Sequence, residues 1–304
     1  MVGLSIVIVN WNTCALLRAC LASIFRHPPR TSFEVIVVDN ASSDRSAEMV
    51  RAEFPGVRLK TNAANLGFAA ATNLGCRLAA GRFLLFLNPD TEVHAATLSG
   101  ALAFMERHPG TGALGCRTLN PDGSLQSSAF AFPTCPRIFA HVSGLSRLGK
   151  LPRRRQHARF SHPDYVQGSF FFIRKSAFEQ SGGFNEKFFL YGEEVDLCQR
   201  LRASGLRIDY HPDLTITHHG GASTRNSVLH LGYFVTSCLY LYREHRSEAH
   251  MRRLLRAVKA ALAIRIFQEL VLAPLNFKKR EKNIRALAGL MAAVAHGDPP
   301  PAPK

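Results

Sequence analysis

Four short apolar runs in the first ninety residues, LSIVIV, FEVIVV, VRLK and RFLLFL, alternate with three segments of helical spacing, Cys14–Phe25, Asp44–Phe54 and Gly67–Ala80. No other feature limits the fold so much. Strands that read as near-continuous Val, Ile, Leu and Phe are covered on both faces. Strand–helix–strand alternation returns each strand parallel to the last, with the crossover helices against the sheet. The pattern predicts an α/β chain with a Rossmann-like, mostly parallel central sheet and helices on both faces. Ligands of such sheets bind beyond the carboxyl ends of the strands. There the chain places Asn10, Trp11 and Asn12; Asp39 and Asn40; Asn62 and Asn65; Asn88 and Asp90. Every strand end is polar, and none carries a nucleophilic Ser or Cys.

The second half is patterned differently. TLNPDGSLQS predicts a hairpin around Pro121-Asp122-Gly123, and LPRRRQHAR (151–159) reads as a mobile loop. DYVQGSFFFIRK predicts a strand, followed by a short helix and the break SGGF. GLRIDYHP and LTITHH predict two more strands. From Ser227 the spacing is helical nearly to the end, where GDPPPAPK (297–304) predicts a disordered tail. Asn226–Tyr242 is uncharged but holds Asn, His, Gly, Thr and Ser. It falls short of the roughly 20 apolar residues of a span and predicts a buried helix. No basic segment or cleavage site frames the apolar run Leu4–Val9, so no signal peptide is expected. Seven cysteines without a CxxC pair argue against a zinc ribbon or a disulfide framework; reduced, mostly buried thiols of a cytosolic protein are expected.

Charge narrows the partners. The 304 residues carry a net +16, and from Arg243 onward thirteen Lys/Arg face five Asp/Glu. Such an excess points to an anionic partner: nucleic acid, anionic lipid or a phosphorylated substrate.

Four short stretches carry the chemistry. Asp39 stands where a ribose-binding acid ends a second strand, yet VNWNTC after the first strand lacks the glycines of a dinucleotide fingerprint. Asp39 therefore reads either as the N-cap of the next helix in DNASSD or as an acid holding ribose or base edges. In LNPDTEV, Asn88 and Asp90 flank a proline directly after a buried strand. That is a turn, or an oxygen site for Mg²⁺ or Mn²⁺ on a diphosphate. In THHGGAST one histidine could complete the Asp90 site, and the glycine turn could meet phosphate oxygens. FFLYGEEVDL places three acids beside aromatics. With a helix starting near Glu193, Glu194 shares a face with Leu197, Cys198 and Leu201, whereas Asp196 pairs with Arg200 at the surface and Glu193 falls between the faces. An acid among apolar neighbours has its protonated form favoured, as a general base near neutral pH requires, and this selects Glu194 with Glu193 as the alternative.

SIVIVNWN, VIVVDNASSD, NLGFAAATNLG, LLFLNPDT, the long stretch from Gly168 to Gly205 and THHGGAST, in this order and spacing, resemble the inverting family 2 glycosyltransferases of GT-A fold, above all their rhamnosyltransferase-like subgroup. The resemblance spans roughly Leu4 to Thr224. It implies a glycosyltransferase domain over 1–225, with a nucleotide-sugar half to about 115 and an acceptor half over 116–225, then a basic helical extension over 226–296. It implies nucleotide-sugar contacts from Val9, Asn12, Asp39, Asn65, Asn73 and Asn88, a Mg²⁺ or Mn²⁺ held by Asp90 and His218, and Glu194 as the base. NPD replaces the family's DxD, which removes one anionic ligand, and EE replaces ED, which lengthens the base by one methylene.

The implied reaction moves a sugar from a dTDP-, UDP- or GDP-sugar, with dTDP-L-rhamnose favoured by the subgroup, to a glycan or polyprenyl-linked acceptor in bacterial surface polysaccharide synthesis. The basic extension would either rest on anionic lipid at the cytoplasmic face of the plasma membrane or pack on the catalytic domain with a solvated charged face; nucleic acid is not an expected partner. Two other readings compete. A sugar-1-phosphate nucleotidyltransferase lacks its Gly-rich basic loop here. A non-enzymatic nucleic-acid binder explains the charge but not the acids and amides at the strand ends.

Overall fold

The computed structural model describes residues 2–147, 159, 161–220, 227–271 and 277–296. The expected mobile loop at 151–159, all but its last residue, the expected disordered tail at 297–304 and the Gly221–Thr224 part of THHGGAST lie outside them.

The first half alternates as its sequence dictates: β1 (Leu4–Asn10), α1 (Cys14–Arg26), β2 (Phe33–Asp39), α2 (Ser46–Glu53), β3 (Arg58–Thr61), α3 (Phe68–Leu78) and β4 (Phe83–Leu87). Every residue of β1 and β4 is buried. The second half follows with β5 (Thr91–Val93), α4 (Thr97–Arg107), β6 (Thr111–Leu119), β7 (Leu125–Gln126), β8 (Ala129–Phe130), α5 (Cys135–Val142), β9 (Tyr165–Val166), β10 (Phe170–Arg174), α6 (Lys175–Gln180), α7 (Glu193–Ala203) and β11 (Arg207–His218). Three helices close the chain: α8 (Ser227–His245), α9 (Glu248–Val271) and α10 (Phe277–His296).

The sheet runs β3-β2-β1-β4-β10-β6-β11-β5, with β7 beside β6. Its first four strands are parallel, as the alternation requires. β10 enters antiparallel between β4 and β6, while β11 returns parallel to β6, so the sheet as a whole is mixed. The two strands expected in GLRIDYHP and LTITHH are one strand, β11, broken in register between His211 and Thr215. Pro212 lacks the N–H a regular ladder needs, and the irregularity absorbs it.

Alternate strand residues feed two cores. Ile6, Ile8, Val35, Val37 and Leu85 pack with α1, α2 and α4 on one face. Val7, Val9, Ile36, Val38 and Phe86 pack with α3, α6 and α7 on the other. Gly75 lets α3 lie close to the sheet, since a Cβ there would come within 2.4 Å of Val7 Cγ1.

Two compact units divide the chain: Met1–Phe132, Arg153–Phe189 and Glu193–Ser223 in one, Pro133–Pro152, Leu190–Gly192 and Thr224–Lys304 in the other. The second unit thus takes in segments 133–152 and 190–192 along with the carboxyl-terminal helices. Its core is Ile138 and Val142 of α5 against Val235, Cys238, Leu254, Val258, Leu262, Leu287 and Leu290. Among the described residues no helix is long and apolar enough to cross a membrane.

Candidate active site

The ends of β1, β2 and β3 form an interlocked set of amides. Asn10 Nδ2 donates to Asp39 Oδ1 (2.9 Å) and Ser42 Oγ (3.1 Å), and Thr13 Oγ1 donates to Asn10 Oδ1 (2.6 Å). The Ser42 N–H donates to Asp39 Oδ2 (3.1 Å), and the Asn12 N–H to Ser42 Oγ (2.9 Å). Asn12 has a left-handed backbone (φ 55°), and its Oδ1 accepts the Ser43 N–H at 2.7 Å. Asp39 does not cap α2. Arg45 stands at the N-cap, and Asp44 just before it accepts the Ser46 N–H at 3.0 Å. The capping reading of Asp39 is thus replaced by a buried acid that braces the loop after β2.

Asn40 sits at the centre of this set. Its Nδ2 donates to Asn65 Oδ1 (2.7 Å) and the Gly67 carbonyl (3.2 Å), and its Oδ1 accepts from Asn62 Nδ2 (3.1 Å) and the Leu66 N–H (3.0 Å). Gly67 (φ 82°) could not carry a side chain here: a Cβ would meet the Phe189 carbonyl oxygen at 2.6 Å. Val9 lies in the core opposite Val38. Asn73 stands apart, its amide bonded to the Phe184 backbone and to Glu186 Oε1.

A second corner forms where β4 ends and β5 pairs with β11. The register puts His218 opposite Thr91, and His218 Nε2 lies 3.3 Å from Asp90 Oδ1 and 3.3 Å from Asn88 Nδ2. On the other side of the ring, His218 Nδ1 is 2.6 Å from Gln126 Oε1. An amide oxygen only accepts, so Nδ1 carries a proton, and in the neutral ring the Nε2 lone pair faces Asn88 and Asp90. Gln126 is held in turn, with Nε2 donating to Asn120 Oδ1 (2.9 Å) and to the His218 carbonyl (3.4 Å). Asp90 and His218 are both about nine-tenths buried.

The sequence reading passed over Gln126 as a hairpin residue. Only the β6–β11 pairing brings it to His218. His219 is the histidine that leaves the site, its Nε2 on Glu92 Oε1 at 2.9 Å, because successive strand residues face opposite ways. Cys20 lies beneath the turn, its thiol 3.6 Å from the Asn88 carbonyl. Burial pushes its pKa up to about 12, so it stays a neutral thiol and not a thiolate ligand.

This corner fits a divalent cation. An anionic oxygen and an imidazole nitrogen whose lone pairs converge at 3.3 Å want positive charge between them. Two ligands each about 2.2 Å from one metal and at a right angle stand about 3.1 Å apart. Among the described residues no group of three or more His, Cys, Asp and Glu converges, and Asp90 and His218 are the two such ligands they bring together here.

α7 begins at Glu193, as the sequence suggests, but the burial of its acids differs. Glu193 is the more buried residue: it is 5% exposed and its Oε2 has no hydrogen-bond partner, though Glu194 Oε2 is buried as well. Burial, then the adjacent Glu194, raise its pKa well above the usual carboxylate range. Glu194 is half-buried. Asp196 is not at the surface; it is buried and takes Arg200 Nε and Nη2 at 2.9 and 2.6 Å. The same guanidinium bonds the Ser181 and Gly183 carbonyls, so the pair clamps α7 to the SGGF turn. Helical spacing located the face, but the turn lying over Asp196 is a tertiary contact.

A mixed sheet whose first four strands are parallel, with acids and amides at its carboxyl edge, is the arrangement of a GT-A fold. A family model described as Glycosyl transferase family 2 matches residues 5–182, and one described as N-terminal domain of galactosyltransferase matches 154–220. The chain belongs to glycosyl transferase family 2 and is a glycosyltransferase, not a sugar-1-phosphate nucleotidyltransferase. It is 32% identical over 285 residues to the N-acetylglucosaminyl-diphospho-decaprenol L-rhamnosyltransferase of Mycobacterium tuberculosis, across 86% of this chain and 91% of that one. It is 28% identical to the rhamnosyltransferase WbbL of Escherichia coli K12 over 47% of this chain and 54% of that one. In fold it is similar to the mannosyltransferase PcManGT of Pyrobaculum calidifontis, solved with GDP-Man and Mn²⁺, with a TM-score of 0.58, 17% identity and coverage of 97% and 86%.

Proposed function

We propose that this glycosyltransferase moves L-rhamnose from dTDP-L-rhamnose, with inversion and with a divalent cation, to a polyprenyl-diphosphate-linked sugar in bacterial surface-glycan assembly. The observation that carries the metal-assisted reading is the Asp90–His218 pair with its tautomer set by Gln126. The donor and acceptor rest on the near full-length likeness to the mycobacterial rhamnosyltransferase.

Asp90 Oδ1 and His218 Nε2 would hold Mg²⁺ or Mn²⁺, which when bound neutralises the charge of the departing nucleoside diphosphate. Asp39, braced from Asn10 and Ser42, offers its remaining lone pairs to the nucleoside, and Asn12 and the Asn40–Asn65 set shape the loops around it. Asn88 belongs to the metal corner, beside the diphosphate, and Val9 forms an apolar floor. Asn73 acts on the site only through the 184–186 turn. Glu194 takes the proton of the acceptor hydroxyl as that oxygen bonds the anomeric carbon and the bond to the diphosphate oxygen breaks. Access favours Glu194 over Glu193: Glu194 is the less buried residue, although its Oε2 is buried too, while burial pushes Glu193 towards its protonated form. With Glu193 protonated, one of the two adjacent glutamates carries charge instead of both, beside the Arg200-paired Asp196.

The test is nucleoside diphosphate release from dTDP-L-rhamnose, UDP-N-acetylglucosamine and GDP-mannose, with polyprenyl-diphospho-N-acetylglucosamine and Mn²⁺. Acceptor-dependent dTDP release that stops with EDTA is expected. Preference for a UDP- or GDP-sugar overturns the donor assignment, and turnover indifferent to EDTA overturns the metal.

A further inference from the structure

α9 carries a surface that the transfer reaction does not use. Arg252, Arg256, Lys259, Ala263, Phe267 and Leu270 are all exposed. Eighteen residues in five steps, (270 − 252)/5, average 3.6, so these six lie on one line parallel to the helix axis. The line is about 27 Å long at about 1.5 Å per residue. It is graded, with cations at its start and apolar side chains at its end, where Phe267, Leu270 and Val271 are 66%, 53% and 60% exposed. The other large exposed hydrophobics among the described residues, Phe25, Leu66 and Leu145, are far apart in the chain and lie in other elements. Single exposed apolar residues are ordinary, but three at i, i+3 and i+4 make a patch.

Of the acids on α9 only Glu248 is open, and it offsets only Arg252, at the start of the line. Glu248 lies at the start of the helix with Arg252, 3.2 Å away. Glu269 is buried and takes Arg280 Nη1 at 2.8 Å and Asn283 Nδ2 at 3.3 Å. Burial opposes its ionisation, but these bonds outweigh that and hold its pKa below the usual carboxylate value. The opposite face of α9, Leu254, Val258, Ala261 and Leu262, is committed to the core of its unit.

We propose that this stripe docks on an anionic lipid surface, with Phe267, Leu270 and Val271 entering the headgroup–acyl boundary and Arg252, Arg256 and Lys259 meeting lipid phosphates. A bilayer interface offers both environments at once. Nucleic acid would satisfy the cations and leave the apolar end in water. A second copy fits neither way: stripes packed parallel oppose cation to cation, and packed antiparallel they bury cations against Phe and Leu.

The test floats the full chain with vesicles of phosphatidylcholine, with and without about 30% phosphatidylglycerol, near 0.15 M salt, where screening reaches about 8 Å. These vesicles hold neither donor nor acceptor, so the outcome is independent of the proposed transfer. Wild type is expected to float only with the anionic vesicles. At about fivefold per cation, the triple variant Arg252→Gln, Arg256→Gln, Lys259→Gln should lose on the order of a hundredfold in partitioning. Phe267→Ser with Leu270→Ser should lose the binding that survives at high salt. Phe267→Trp, beside a wild-type control for the native Trp11, should be quenched by lipids brominated on the acyl chain. The proposal is overturned if phosphatidylglycerol makes no difference, if the charge variant floats like wild type, or if the new tryptophan is not quenched. A concentration-dependent dimer abolished by Phe267→Ser, with flotation unchanged, would assign the stripe to a second copy instead.

Discussion

The two corners at the carboxyl edge of the sheet are built in opposite ways. At the ends of β1, β2 and β3 the two buried amides are satisfied by neighbours: Asn10 on Asp39 and Ser42, Asn40 on Asn62, Asn65 and Gly67. At the end of β4, Asp90, Asn88 and His218 converge with an imidazole lone pair turned inward and an acid 3.3 Å from it. Saturation makes a rigid rim, since buried polar groups with all bonds made hold their loops in one arrangement. Incomplete saturation of charge makes a site. On the function proposed above, the first set would shape a pocket and the second would act in it, though both draw on Asn and Asp at strand ends.

The comparison breaks most visibly at Asp90. Asp90→Ala removes the one anion of its corner and should lower metal-dependent turnover by about 10³-fold or more, the scale for losing a group that places charge on the reacting centre. Mn²⁺ binding followed by calorimetry should vanish with it. Retained Mn²⁺ binding in that variant would place the metal elsewhere.

Glu194→Gln should reduce turnover by roughly 10²- to 10⁴-fold, the range for a positioned general base. Donor affinity in the same protein should hold, because the base acts on the acceptor. A loss of nucleotide-sugar binding would move Glu194 into the donor pocket.

Gln126 tests whether the active corner depends on its support. Gln126→Leu frees the imidazole tautomer and should weaken Mn²⁺ affinity by about 10- to 100-fold, as is usual for partners of metal-bound histidines. Gln126→Glu, which still accepts from Nδ1, should recover most of it. If the two variants bind Mn²⁺ alike, Gln126 has only a packing role.

On the saturated side, Asn40→Ala should leave its Asn and backbone partners unpaired and cost about 1–3 kcal/mol of stability in a denaturant titration. The effect on metal affinity should be small. Mn²⁺ binding that falls as far as in the Gln126 variant would show that the two corners work as one.

The smallest effect is one of pH. Glu193 has its folded pKa raised, so folding binds a proton, and the stability this contributes is present below the unfolded value near 4.5 and is lost as pH rises through the folded one. Glu193→Gln should therefore melt higher than wild type at pH 8, and the gap should close towards pH 4.5. A gap independent of pH would mean that Glu193 does not titrate in this range.

Periodicity made much of this legible. Unbroken apolar runs located β1, β2 and β4 to the residue or nearly so, and helical spacing found α1, α2 and α3 within one or two residues, because a doubly covered strand and a crossover helix each leave a local signature. Asn88, Asp90 and His218 were legible as a group through family resemblance, although NPD and HH alone read first as a turn and a surface histidine. Gln126 was not legible. It sits 92 residues from His218, and a hairpin strand gives no sign of which distant strand it will lie beside.

The acids of α7 show the same boundary most closely. The sequence by itself determined that a helix starts at Glu193 and that its first turn is acidic, because the 3.6-residue period and the preference for acids at a helix start are both local. Which acid loses its water was decided only by the tertiary structure. Desolvation depends on what lies over each carboxylate, and what lies over Asp196 is Arg200 bonded to the carbonyls of Ser181 and Gly183, a turn about fifteen residues away in the chain. A helical wheel has a face but no neighbour, and a buried charge is set by its neighbours.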